Sequence, residues 1–118
     1  MLIRCWGSRG SVPVSGKEYI RYGGDTTCIE IRNQAGDIII VDAGTGIRRL
    51  GRRLAAEGRY DYHMIFTHAH WDHVMGFPFF KPIYDPRTRL RMYRCPYSKF
   101  VETMLSKVMA PPYFPVPY

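Results

Sequence analysis

Two apolar runs, "DIIIVDAG" beginning at Asp37 and "YHMIFT" beginning at Tyr62, constrain the fold of this chain more than any other feature. Each reads as a buried strand, the first closed by a glycine. Between them Thr45 is placed to cap a helix in which Ile47, Leu50, Leu54 and Ala55 share one face, and Gly58 stops it. "TTCIEIR" alternates apolar or β-branched with polar residues, the period of a half-buried strand. "MLIRCW" opens as a short strand, and "GSRGSVPVSG" is a loop by its Gly, Ser and Pro content. "RLRMY" reads as a further strand. In "SKFVETMLSKVM" the apolar pairs Phe100/Val101, Met104/Leu105 and Val108/Met109 recur at helical spacing, as core or interface packing. The order of elements is α/β.

The 118 residues suit one small domain with a modest core, and no linker or repeat divides them. A formal charge of +7 favours anionic partners such as a phosphate-bearing substrate or nucleic acid. Much of the excess lies in "GIRRLGRRL" and "DPRTRLRMYR", where a solvated basic face is the plainer interpretation. Cys5, Cys28 and Cys95 are odd in number and widely spaced, which argues against a disulfide framework and for a reducing compartment. "MLIRCWGSRG" lacks the apolar run of a signal peptide, and no apolar stretch is long enough to span a membrane. The expectation is a cytoplasmic protein with no membrane partner.

"THAHWDH", Thr67 to His73, gathers three of the four histidines and an aspartate into seven positions. The histidines at i and i+2 can aim at one cation, and the Asp-His pair that follows can turn towards a neighbouring one. Two cations a few ångströms apart, held by nitrogen and carboxylate, suit the activation of water for an in-line displacement. A structural zinc would more commonly recruit thiolates, and no cysteine is near in sequence. Asp42, at the end of a buried strand in "DAGTG", can orient a ligand from behind, while Gly44 and Gly46 permit tight backbone.

The succession "GSRGSVP", "YGGDTTCIEI", "IIIVDAGTGI", "IFTHAHWDHVMGFPFF" resembles the metallo-β-lactamase superfamily of metal-dependent hydrolases, near its phosphodiesterase and ribonuclease Z branch. H-x-H-x-D-H is that family's signature. The resemblance covers essentially the whole chain and implies the amino-terminal half of an αββα sandwich. It implies that His68 and His70 ligate a first zinc and that Asp72 and His73 ligate a second. Manganese and iron occupy similar sites. Asp72 would also receive or position a proton of a bridging hydroxide that attacks a phosphodiester, and Asp42 would support the ligands. Asp25 stands where relatives often carry a polar residue near the site, and is expected to pack or cap. The tail "FPFFKPIYDP…APPYFPVPY" resembles the region that overhangs the substrate cleft.

Two zinc ions sharing a hydroxide want about seven protein ligands, and "HAHWDH" supplies four. No histidine follows His73. His63 reads as a strand-face residue and Asp85 as a turn residue before Pro86. The chain therefore resembles the first part of a hydrolase, with one sheet face expected to lie uncovered. A homo-oligomer is one route to the remaining ligands. The alternative is a non-catalytic fragment or binding module that cannot complete the metal site by itself.

Overall fold

In the computed structural model, residues 1–94, 99–116 and 118 are described. One mixed sheet carries five strands in sequence order: β1 (Leu2–Gly7), β2 (Cys28–Arg32), β3 (Ile38–Val41), β4 (Asp61–Phe66) and β5 (Arg89–Arg94). β1, β2 and β3 run antiparallel, whereas β4 and β5 extend β3 in parallel. The parallel step from β3 to β4 needs a crossover, and helix α1 (Ile47–Ala56) supplies it. Ile47, Leu50 and Leu54 of α1 are fully buried against the sheet. Gly58 follows at φ +70 and its amide reaches back to the Ala55 carbonyl, which closes the helix where expected. α2 (Lys99–Val108) buries Val101 and Leu105, with Met109 just beyond. Phe100, expected on the same stripe, instead stands 58% exposed.

The expectation for Thr45 is corrected. Gly46 occupies the N-cap of α1 and no side chain caps the helix. The Thr45 hydroxyl instead accepts from the Thr26 amide (2.9 Å) and donates to the Asp25 carboxylate (3.0 Å). Asp25 also pairs with Arg49 of α1 at 3.0 Å, so its role is to pin the chain before β2 onto the helix. A tertiary partner for the hydroxyl has displaced the local one.

In β2 the alternation is present but the sides are exchanged. Cys28 and Glu30 are fully buried under α1, while Ile29 and Ile31 stay half-buried on the opposite face. Glu30 is sustained there by Trp6 Nε1 (3.1 Å) and Arg32 Nε (2.7 Å), and Arg32 continues to Glu57. A buried carboxylate is tolerable only with such partners. The half-buried face aligns Ile31 with Ile39, and Ile29 with Val41 and Ile65, across neighbouring strands. One face of the sheet is thus a finished core, while the other, expected to lie uncovered, is half-buried.

This asymmetry has a measurable consequence. Ile40→Ala, on the fully buried face, is expected to lower unfolding free energy by about 2–5 kcal/mol. Its neighbour Ile39→Ala should lose about 1 kcal/mol. Urea midpoints at unchanged m-value would read the difference, and equal losses would show that both faces are equally packed.

The proline-rich tail folds back rather than trailing away. Phe114 packs edge-on against Phe79 with centroids 6.0 Å apart, and Tyr118 returns to the Met109 carbonyl and the Phe77 ring. Between tail and sheet lies an apolar cavity of about 440 Å³ lined by Phe77, Tyr84, Leu90, Met92 and Met109. No helix among the described residues is long and apolar enough to cross a membrane.

Candidate metal centre

The histidine motif and Asp42 lie far apart in sequence and meet because β3 and β4 are adjacent and parallel. Asp42 is the first residue past β3 and Thr67 the first past β4, so both emerge at the same sheet end. In parallel α/β sheets that end is where ligands gather. The Asp42 amide still bonds the Ile65 carbonyl (2.8 Å), and the backbone then turns into the left-handed region at φ +62. Two further backbone bonds lace the loops together: Ala43 N–H to His73 O (2.7 Å) and Gly76 N–H to Ala43 O (2.8 Å). A Cβ on Gly76 would stand 2.1 Å from the Gly44 carbonyl oxygen, and one on Gly44 2.6 Å from the Asp72 carbonyl oxygen. Gly44 therefore serves the close approach expected of it.

Asp42 is buried, and its carboxylate is the hub of the site. Oδ1 accepts from the Thr67 amide (2.8 Å), and Oδ2 accepts from the Thr67 hydroxyl (2.7 Å) and His73 Nδ1 (2.8 Å). Thr67 Oγ1 also meets His68 Nδ1 at 2.9 Å. Donor counting then fixes both tautomers. A carboxylate can only accept, so His73 Nδ1 carries a proton. The single hydroxyl proton of Thr67 is spent on Asp42, so His68 Nδ1 must be the donor to Oγ1. In the neutral rings this leaves Nε2 unprotonated, the form that binds a cation.

The rings themselves converge. His68 lies with its ring centroid 4.4 Å from His70 and 4.1 Å from His73. Asp72, on the short 3-10 turn Trp71–His73, is buried, with Oδ2 3.5 Å from His73 Nε2. The same Oδ2 accepts from the backbone amide of Ser11 (2.9 Å). Burial alone would push the Asp72 carboxyl up, but the Ser11 amide and the neighbouring His73 and His70 outweigh it and hold the carboxyl below its ordinary value.

All four predicted ligands and the supporting Asp42 are thus brought to one end of the sheet. The donor set, imidazole nitrogens presented at Nε2 beside a carboxylate, fits zinc or a similar divalent cation in chemistry. In spacing it is incomplete: among the described residues no group of three or more His, Cys, Asp or Glu side chains is arranged to hold a metal ion. No described cysteine joins the cluster, and burial first of all pushes the Cys28 thiol far above its ordinary value. Cys95 lies outside the described residues.

The other candidates fall where their contexts placed them. His63 stacks on Tyr93 on the half-covered sheet face, away from the cluster. Asp85 holds the Arg87 amide and guanidinium within its own turn. Two contributors carried no signal in the sequence. Thr67 lies inside the motif with nothing to mark it as a relay, and Ser11 acts through a backbone amide that any residue possesses.

The model of the metallo-β-lactamase superfamily matches residues 21–117. The chain belongs to that superfamily. The fold agrees: a solved structure of a diphosphatase of the PhnP family superposes with a TM-score of 0.65 at 19% identity, over 91% of this chain. The superfamily member described here spans 46% of the length of that structure. No curated protein matches it.

Proposed function

We propose that the protein is a metal-dependent hydrolase that cleaves a phosphodiester, with His68 and His70 holding one zinc ion and Asp72 and His73 a second. The observation that supports this best is the Asp42 carboxylate, which through His73 Nδ1 and the Thr67 hydroxyl leaves Nε2 of two clustered histidines free. Zinc, when bound, supplies a water of lowered pKa and a Lewis acid for the phosphoryl oxygens. The chain's own groups do the rest. Asp42 and Thr67 keep two rings from rotating, and the Asp72 carboxylate, anchored at Oδ2 by the Ser11 amide, positions a proton of the attacking water. The charge of +7 favours a phosphate-bearing substrate over a neutral one, and the solved structure of similar fold, a diphosphatase, supports phosphate chemistry.

A second interpretation, a binding module with no activity by itself, is favoured by one observation: among the described residues no three His, Cys, Asp or Glu side chains are arranged to hold a metal ion. Elemental analysis of the dialysed protein, with assays on bis(p-nitrophenyl) phosphate, a chromogenic β-lactam and a thioester, separates the two. About two equivalents of metal and chelator-sensitive turnover of the phosphodiester alone are expected. Metal near zero with no turnover would establish the binding module instead.

A further inference from the structure

The loop "GSRGSVP" is held hard against the chain that precedes β2. Ser8 and Arg9 both donate their amides to the Asp25 carbonyl (3.1 and 3.0 Å), and Val14 donates to Gly24 (2.9 Å). Arg9 bridges Thr26 and lays its guanidinium over the Tyr19 ring at 4.9 Å. A Cβ on Gly7 would sit 1.9 Å from the Thr26 carbonyl oxygen, and one on Gly24 1.7 Å from that of Val14, so backbone presses on backbone. Between these clamps Ser11 adopts φ +68, one of two non-glycine residues in the left-handed region among the described residues; the other is Asp42. A serine held there is strained by about 1–2 kcal/mol. Its side chain is exposed, and its functional contact is made by the main chain.

We infer that Ser11 is a positioning residue, whose backbone amide, aimed by this strained turn, holds the Asp72 carboxylate open as a ligand. The inference rests on residues 68–73 being the metal site proposed above. Asp72 Oδ2 stands 3.5 Å from His73 Nε2. An unprotonated Nε2 and a carboxylate oxygen both carry lone pairs and repel, so without a donor on it that oxygen would turn away from His73. The Ser11 amide holds Oδ2 in place at 2.9 Å, so the carboxylate and His73 Nε2 stay side by side as separate donors. The loop, 61 residues away in sequence, is in this way part of the metal centre without supplying a side chain to it.

The test lies in the backbone preference of position 11. Ser11→Gly and Ser11→Asn tolerate a positive φ and keep the amide in place, whereas Ser11→Val and the milder Ser11→Thr resist it. Cobalt(II) dissociation constants would be measured on each purified full chain, with Trp71 fluorescence as reporter and circular dichroism confirming the fold. Val and Thr should weaken binding about 10- to 100-fold, with Gly and Asn within about twofold of wild type. If Val fails to fold, Thr decides, because it keeps the hydroxyl and changes only the branching. Wild-type affinity in the folded β-branched variants overturns the inference. So does an equal loss in Gly and Asn, which would assign the effect to the hydroxyl. Wild-type protein that holds no cobalt at all removes the metal centre itself, a failure distinguishable from the other two.

Discussion

His68→Ala is expected to abolish metal-dependent phosphodiester hydrolysis, with a loss of about 10³-fold or more in kcat/KM. The site offers four side-chain donors, and His68 is the ring that lies against both of the other two histidines. Removing it takes one of the two nitrogens whose Nε2 is held free by the Asp42 relay. Metal stabilisation of a phosphoryl transition state amounts to several kcal/mol, and each 1.36 kcal/mol is tenfold in rate. The fold should scarcely register the change, since His68 is only part-buried and lies past the strand end. Unfolding free energy within about 1 kcal/mol of wild type is the expected control. Chelation of the wild-type protein should reproduce the loss and add nothing to it in the variant. Turnover and metal content equal to wild type in His68→Ala would remove the motif from the chemistry.

Asp42→Ala should instead damage stability and site together. The carboxylate is buried and receives three donors, the Thr67 amide, the Thr67 hydroxyl and His73 Nδ1. Alanine leaves the Thr67 amide and half-buried His73 Nδ1 without that acceptor, while the hydroxyl of exposed Thr67 can turn to water, and the alanine must also adopt φ +62. Each orphaned buried donor costs about 1–3 kcal/mol, and breaking a buried pair typically costs about 3–5 kcal/mol. A loss of about 3–5 kcal/mol in urea unfolding is therefore expected. Asp42→Asn is the sharper probe of function. It tolerates the left-handed backbone and keeps one acceptor, but its amide nitrogen must face a donor. His73 then loses the acceptor that fixes its tautomer, and metal affinity should fall about 10- to 100-fold while much of the stability survives. An Asp42→Ala protein unfolding at the wild-type urea midpoint would mean that the carboxylate is not the hub.

These expectations share one geometric origin. Two loops leave adjacent parallel strands at the same end and are laced by backbone bonds through Ala43, His73 and Gly76. The glycines at 44 and 76 let the loops approach closer than any side chain would permit. A third loop, from the β1 side, reaches the same point through the Ser11 amide. Scaffold rigidity and ligand orientation are thus produced by the same contacts.

Local chemistry was enough to specify the strands, the helix between β3 and β4, its stop at Gly58, and the cluster of donors in "THAHWDH". Apolar runs, helical spacing and a glycine stop act over a few residues, and a strand end followed by His-x-His-x-Asp-His carries its meaning within one loop. The same holds for Asp42, whose place at a strand terminus before glycines marks it as a supporting carboxylate. What is decided by partners distant in the chain stayed out of reach. The alternation in "TTCIEIR" is the same whichever face is inward, and it is the distant Trp6 and Arg4, together with Arg32, that make Glu30 the buried side. Thr45 has the residue type of a helix cap, yet Thr26 and Asp25 compete for its hydroxyl and win. Ser11 contributes an amide common to every residue but proline, so its role follows from where a strained turn aims it. Side-chain identity is written in the sequence. Which polar groups find each other in a shared, water-poor space is settled by tertiary structure, because there each donor must be matched by whatever acceptor the fold brings near.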